Sequence, residues 1–252
     1  MLSQGKVKRI SKFDREKLAE PITVRVVFQK TGNLQYFSHL DLQRTWQRVL
    51  VRASIPMWYT QGFNPHSKIT FGVPLPVGSE GMTEMVDLRI DRKITCAEIK
   101  DQLNSELTSE MQVSEVYIPQ TSFSDIAWGT YEITMKTPGD PIDVAKAIGG
   151  IFTPDAEPII MTKRSKSGDK EVNILPMIRS VKATADCNGL IHLRATLRAG
   201  NTENLNPEYL IKAMRDQLGI LPEDGPMDEV WYRILRIGFH DEKGIAVGKW
   251  FR

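Results

Sequence analysis

Strand-like and helix-like segments follow one another along this chain in an order that is repeated once. Residues 22–30 alternate in polarity and are rich in β-branched side chains, which predicts a strand. Residues 38–55 carry apolar side chains at helical spacing behind a Ser38-to-Asp41 capping pattern, which predicts an amphipathic helix. The following segments predict two strands, a helix and a closing strand at 67–75, 83–90, 95–107 and 111–119. This β-α-β-β-α-β order is that of a ferredoxin-like unit.

Residues 120–128 are polar and rich in turn-forming residues, and the same order returns after them. Strands are predicted at 130–137, 189–199 and 229–239, and helices at 141–151 and 206–219. A hairpin is predicted from 157–164 and 171–178 around a polar tip at 165–169. We therefore predict an α+β chain of two ferredoxin-like (βαββαβ) halves in tandem, the second elaborated by an additional strand. The predicted parts are a basic N-terminal arm at 1–20, a first domain at 21–120, a linker at 121–128 and a second domain at 129–252.

Composition narrows the class of protein further. Of 252 residues, 41% are apolar and 25% are charged, and no apolar run approaches the roughly 18 to 20 residues of a membrane-spanning helix. Residues 1–20 hold six Lys or Arg and three acids without an apolar core, which argues against a secretory signal. Only Cys96 and Cys187 are present, so a reducing compartment fits better than a disulfide framework. We expect a soluble, cytoplasmic protein that contacts no membrane.

Charge is distributed unevenly within the first predicted domain. Residues 21–68 carry six basic side chains and one acid, a net charge of +5. Residues 69–125 carry four basic side chains and ten acids, a net charge of −6. Such asymmetry predicts a basic face for an anionic partner and an acidic face directed elsewhere.

The first helix carries a basic stripe. Arg44, Arg48 and Arg52 recur at four-residue spacing, on the side away from the apolar residues. The guanidinium fork suits phosphate and also stacks on bases, which favours nucleic acid as the partner. The alternative is a solvated helix face on which Asp41 caps the N-terminus and pairs with an arginine.

Two loops beside this helix combine aromatic and polar side chains. The segment 33–41 brings Tyr36, Ser38 and His39 to a helix N-terminus, where free N–H groups favour anions. The loop 59–72 offers Tyr59, Gln61, Phe63, Asn64, His66 and Lys68. Aromatic side chains beside Asn, His and Lys suit a nucleotide. The alternatives are that Ser38 only caps, that Phe63 anchors the loop and that both histidines are ordinary surface residues.

The predicted hairpin tip of the second half is basic and carries Lys163, Arg164, Lys166 and Lys170. This pattern favours either a nucleic-acid arm or a solvated loop. No phosphate-binding glycine loop, no HExxH motif and no Cys/His set with zinc or iron–sulfur spacing is present, so we predict no metal and no cofactor. His39 and His66 are the candidates for an acid and a base in metal-independent cleavage of RNA.

Several short motifs occur in order along the chain: Lys30-Thr31-Gly32, Ser38-His39-Leu40-Asp41, Gln61-Gly62-Phe63-Asn64-Pro65-His66 and Pro74-Leu75-Pro76-Val77-Gly78. With these motifs the chain resembles the bacterial radical-SAM-linked protein family, whose members are encoded beside, or fused to, a radical S-adenosylmethionine protein. The later segments KSGDKEVNILPMI and LNPEYLIKAM extend the resemblance, which runs from about Ile22 to near His240. The resemblance implies a radical S-adenosylmethionine protein as partner, and it assigns no reaction to the chain.

Together these patterns predict a non-catalytic accessory module that binds ribosomal or transfer RNA and presents it to a radical S-adenosylmethionine enzyme. Phosphate contacts are assigned to Lys30, Arg44, Arg48, Arg52, Lys68, Lys163, Arg164, Lys166 and Lys170. Stacking is assigned to Tyr36, Tyr59 and Phe63, and a specific pocket to Ser38, His39, Gln61, Asn64 and His66. Two alternatives stay open. One is a ribonuclease that uses His39 and His66, and the other is a scaffold whose Glu80, Glu84 and Asp87 dock on the partner without RNA contact.

Overall fold

A computed structural model describes residues 14–163, 168–200 and 203–248, apart from the side chain of Lys163. The chain divides into two compact units, Met1–Ser122 and Phe123–Arg252. Each unit mixes helices with antiparallel strands, so the α+β class is confirmed. Within the described ranges no helix is both long and apolar enough to cross a bilayer.

The first unit follows the predicted order of elements. It comprises β1 Lys17–Lys30, α1 His39–Arg52, β2 Ile69–Phe71, β3 Ser79–Arg92, α2 Cys96–Asn104 and β4 Val113–Tyr117. Its strands lie in the order β4-β1-β3-β2, and every neighbouring pair is antiparallel. β1 begins at Lys17 and so takes in the end of the segment predicted as a basic arm, whereas residues 1–13 lie outside the described part of the chain.

Both helices of the first unit pack against one face of its sheet. Ser38 begins α1 with the predicted capping box, which it forms with Asp41. Alternate residues of β1 and β3 meet the apolar stripe of α1 in the core, where the buried ring of Trp46 lies edge-on to Phe28 at a centroid distance of 4.9 Å. The opposite side of α1, which carries the arginines, is thereby directed to solvent.

The second unit contains, among its described residues, one strand more than the sequence pattern predicts. It comprises β5 Trp128–Lys136, α3 Pro141–Ile151, β6 Ile160–Lys163, β7 Lys170–Asn173, β8 Ile178–Ala185, β9 Ile191–Arg198, α4 Glu208–Leu218 and β10 Trp231–His240. The pattern does not predict β8. Its core-facing residues include Val181, Ala183 and Ala185, which carry too little apolar surface to stand out.

The main sheet of the second unit has the strand order β10-β5-β9-β8 and is antiparallel throughout. β6 and β7 pair separately as the predicted hairpin. α3 and α4 cover one face of the main sheet, where Ile133, Leu193 and Leu210 are buried together. The alternate residues of these strands point to the other face.

Candidate nucleic-acid interface

The turn after β1 is held by charged side chains that lie inside the protein. Lys30 is 1% exposed, and its Nζ donates hydrogen bonds of 3.3 Å to the carbonyl oxygens of Gln35 and Phe37. Gly32, in the left-handed conformation with φ 58°, donates its N–H to Glu80 Oε1 at 2.6 Å. Contrary to the prediction, Lys30 is not available to a phosphate, because its ammonium group fixes the main chain that leads into α1.

Ser38 and Asp41 are engaged with each other at the start of α1. The Asp41 N–H donates to Ser38 Oγ at 3.2 Å, and the Ser38 hydroxyl donates to Asp41 Oδ2 at 2.6 Å. The hydrogen bond from Ser38 is the main reason that the pKa of the Asp41 carboxyl is lowered, and the charge of Arg44 adds a smaller effect. The sequence allowed Ser38 either to cap α1 or to line a pocket. In the structure Ser38 caps α1.

Tyr36 and His39 lie on either side of this cap. Tyr36 is 67% exposed. The exposed ring of His39 packs edge-to-face on Phe71 of β2, with a centroid distance of 5.2 Å. This contact places the N-terminus of α1 beside the end of the 59–72 loop, so the two segments predicted to share a surface meet there.

Residues 58–68 form a short hairpin, here named the 58–68 hairpin, that is docked on β3. The Thr60 N–H donates to the carbonyl oxygen of His66 at 2.9 Å, which closes the two arms. The Trp58 N–H donates to the carbonyl oxygen of Arg89 in β3 at 2.7 Å, which fixes the base. The loop between the arms therefore projects from a rigid support.

The tip of the 58–68 hairpin presents an aromatic ring to solvent. Phe63 is fully exposed, so it does not anchor the loop. His66 does so instead, since its Nδ1 lies 3.1 Å from Thr60 Oγ1 and 3.3 Å from the carbonyl oxygen of Asn64. Other exposed members of the predicted site on this hairpin are Tyr59, Gln61, Asn64 and Lys68.

His39 and His66 lie apart. His39 contacts Phe71, whereas His66 is bonded to Thr60 and Asn64. From His66 to Phe71 the chain runs nearly extended for five residues, about 16 Å at 3.3 Å per residue. Because side chains alternate along a strand, residues separated by an odd number of positions, as His66 and Phe71 are, point to opposite faces. This geometry lends no support to a ribonuclease in which both imidazoles act on one substrate.

The three arginines of α1 differ in their surroundings. Arg52 donates from Nε to Glu106 Oε2 at 3.0 Å, so its charge is largely committed. Arg44 and Arg48 are exposed, and Arg44 lies 4.0 Å from Asp41, a surface pair of little energetic weight. Arg44 and Arg48 therefore remain as the helix cations suited to phosphate.

Several charges that contribute to the asymmetry of the sequence lie inside the first unit. Arg25 is buried in a bidentate pair with Asp87, with N···O distances of 2.7 and 2.9 Å. Glu80 and Glu84 are only 2% and 5% exposed. The scaffold alternative therefore loses the carboxylates assigned to docking, because two are buried and the third is paired.

The basic tip of the β6–β7 hairpin falls mostly outside the described residues. Arg164 and Lys166 lie there, as does the side chain of Lys163. Lys170 is described, and it is exposed at the start of β7.

A second group of basic side chains, on the main sheet of the second unit, is not predicted from the sequence. Lys182 of β8 and Arg194 of β9 are exposed and lie opposite each other in the strand register. The sequence of β9, IHLRATLR, contains the signal, because His192, Arg194 and Arg198 share one parity of the strand. The matching position of Lys182 cannot be predicted unless β8 is recognised as a strand.

The described part of the chain holds no cluster of three or more His, Cys, Asp or Glu side chains placed to share a metal ion. Cys96, at the start of α2, and Cys187, in the turn after β8, are free thiols.

The fold and the site define a class of protein: a two-unit α+β chain with like-ordered antiparallel sheets, in which one helix exposes basic side chains and a neighbouring hairpin exposes aromatic ones. Residues 23–207 match the family described as an uncharacterized protein conserved in bacteria (DUF2344). The match covers more than half of the chain, so the chain belongs to this family. Among curated proteins, none matches the sequence.

Proposed function

We propose that this chain is an RNA-binding accessory module that presents ribosomal or transfer RNA to a radical S-adenosylmethionine enzyme in the cytoplasm. The RNA part rests on the exposed side chains of the first unit. The partner part rests on the resemblance of the ordered motifs from Lys30 to Gly78 to the radical-SAM-linked family. The match to an uncharacterized bacterial family is compatible with both parts and specifies neither.

The observation that carries the proposal is the fully exposed ring of Phe63 on a hairpin whose base is fixed to β3. A Phe side chain gains about 1.5 to 3 kcal/mol when it leaves water, so a ring held out in solvent favours a partner that covers it. A nucleobase does so by stacking, worth about 1 to 3 kcal/mol per base. Tyr59 on the same hairpin and Tyr36 before α1 offer two further exposed rings.

The first unit also exposes cations. Arg44 and Arg48 project from α1, and Lys68 is exposed on the 58–68 hairpin. Single-stranded nucleic acid is bound in general by this combination, with a basic surface along the backbone and aromatic rings under the bases. His39, Gln61 and Asn64, also exposed, are proposed to contact base edges.

We further propose that both units are ferredoxin-like. β5, β8, β9 and β10 stand in the order β10-β5-β9-β8, as β1 to β4 stand in the order β4-β1-β3-β2. In each unit one helix follows the first of the four strands and the other precedes the last. β6 and β7 are then an insertion between α3 and β8. This fold is compatible with RNA binding and does not establish it.

The proposal is tested by fluorescence anisotropy of the full chain with a labelled oligouridylate and with labelled transfer RNA. Phe63→Ala is expected to weaken binding about 5- to 150-fold, the equivalent of one lost stacking contact. Met227→Ala, which shortens another strongly exposed apolar side chain in the second unit, is the matched control and is expected to bind as the wild type does. Wild-type protein that binds neither RNA, alone or with its partner enzyme, would overturn the proposal.

A further inference from the structure

The strands of the two units differ in charge. β5, β8, β9 and β10 contain seven Lys or Arg and one acid, Glu132, a net charge of +6. β1, β2, β3 and β4 contain five Lys or Arg and six acids, a net charge of −1. Arg236 of β10 is fully buried, whereas Arg179, Lys182, Arg194 and Arg233 are exposed. Because buried charges are costly unless paired, most of this surplus lies at the surface.

The register of the strands places these cations side by side. Leu193 of β9 faces the core and is buried. Its sequence neighbours His192 and Arg194 point to the other face of the sheet and are exposed. Lys182 of β8 lies opposite Arg194, and Arg194 lies opposite Glu132 of β5, with an N···O distance of 3.8 Å. Both partners of this pair are exposed, so it has little energetic weight and leaves Arg194 able to meet a phosphate. Neighbouring strands are about 4.8 Å apart, so this row holds two cations within reach of adjacent phosphates.

A second group of cations lies at the end of the same face. Arg179 and Arg198 approach the Trp128 ring, with guanidinium carbons 5.5 and 4.1 Å from its centroid. Arg198 also pairs with Glu203 at 3.3 Å and with Glu242. Its charge is therefore largely balanced, and the exposed Arg179 is the cation of this group that contributes most to the surface.

Hydroxyl and imidazole groups fill the space between the two groups of cations. Thr130 Oγ1 lies 2.9 Å from His240 Nε2 and 3.3 Å from Thr196 Oγ1. Ser180 lies opposite Thr196 in the register and is exposed. Phosphate oxygens are bound in general by this mixture of Arg, Lys, Ser and Thr side chains.

We infer that this open face, named by its residues Arg179, Ser180, Lys182, Arg194 and Thr196, binds the phosphate backbone of an RNA strand. The inference rests on the proposed function and assigns it a second contact surface. A membrane is disfavoured, since the large apolar side chains exposed in the described part of this unit lie off these four strands: Ile142, Ile160, Met227 and Ile245. A peptide added as a strand would use the edge of β8, whereas the cations lie on the face.

The test compares the salt dependence of binding of the wild type and of the double variant Lys182→Gln, Arg194→Gln, with a labelled oligouridylate as probe. Each lost contact to a single strand lowers the steepness of log affinity against log salt by about 0.7, so the double variant is expected to be less steep by about 1.4. Lys146→Gln, at an exposed position of α3 in the same unit, is expected to keep the wild-type slope. Lys182→Arg, Arg194→Lys preserves the charges and is expected to do the same.

The outcomes separate this inference from the function on which it rests. An unchanged slope in the double variant, together with weakened binding by Phe63→Ala, would overturn the second surface and leave the first intact. Wild-type protein that binds no RNA would overturn both. Displacement of RNA by poly-glutamate at equal charge concentration would show that the face accepts any polyanion, which overturns RNA as its specific occupant.

Discussion

Lys30 illustrates how a charged residue at the end of a strand serves the fold instead of the surface. Its ammonium group satisfies two carbonyl oxygens in the turn before α1, those of Gln35 and Phe37. On the other side of the same turn, the Gly32 N–H is bound by Glu80, which is also buried. Buried charged groups with good hydrogen bonds hold a main-chain path firmly, because removing one leaves the others unsatisfied.

We expect Lys30→Met to lower the free energy of unfolding by about 2 to 4 kcal/mol, because the two carbonyl oxygens lose a charged donor in a buried place. Urea denaturation followed by circular dichroism measures the change. Lys146→Met removes the same charge from an exposed site on α3 and is expected to change stability by no more than about 0.5 kcal/mol. Equal stability of the Lys30 variant and the wild type would show that the ammonium group does not support the turn.

At the scale of single elements, local signals were sufficient for the helices. The capping box of α1 and the bounds of α3, Pro141–Ile151, follow from residues adjacent in sequence, and both predictions agree with the structure. β8 is not predicted, because its apolar residues are small and its strand conformation depends on pairing with β9. The burial of Lys30 and Glu80 is not predicted either, because it depends on main-chain groups that come together only in the folded chain.

The same distinction applies to the candidate site. Exposure of Tyr36, Arg44 and Phe63 agrees with what the polar and turn-rich loops and the helical spacing predict. The separation of His39 from His66 depends on the extended path of the chain through β2, which the loop sequence does not reveal. The sequence therefore predicts the exposure of these three groups, but not the burial of Lys30, and not which exposed groups share a surface.

Ser38 provides a test at the scale of α1. Ser38→Ala is expected to lower the free energy of unfolding by about 1 kcal/mol through loss of the cap, and to change RNA affinity by less than about twofold. Thr108 precedes a short helical turn without a side-chain capping bond, so Thr108→Ala is the matched control and should leave stability nearly unchanged. A loss of RNA affinity beyond about tenfold with unchanged stability would return Ser38 to the binding pocket.

At the scale of the molecule, the two units repeat one strand order and differ in what they expose. The first offers aromatic rings on the 58–68 hairpin and cations on α1. The second exposes Arg179, Lys182, Arg194 and Arg233 on strands whose net charge is +6, although Arg236 is buried. The net charge of the chain, +2, conceals this difference because acids elsewhere balance it. The distribution of charge over surfaces is thus more informative than its sum.

Binding of RNA through exposed cations and rings is measured as the affinity of the purified wild type for a labelled oligouridylate over a range of potassium chloride concentrations. Arg44, Arg48 and Lys68 alone are expected to contribute about −0.7 each to the slope of log affinity against log salt. Together these contacts predict a linear dependence with a slope steeper than about −2. Binding that is undetectable at low salt, or that does not change with salt, would contradict it.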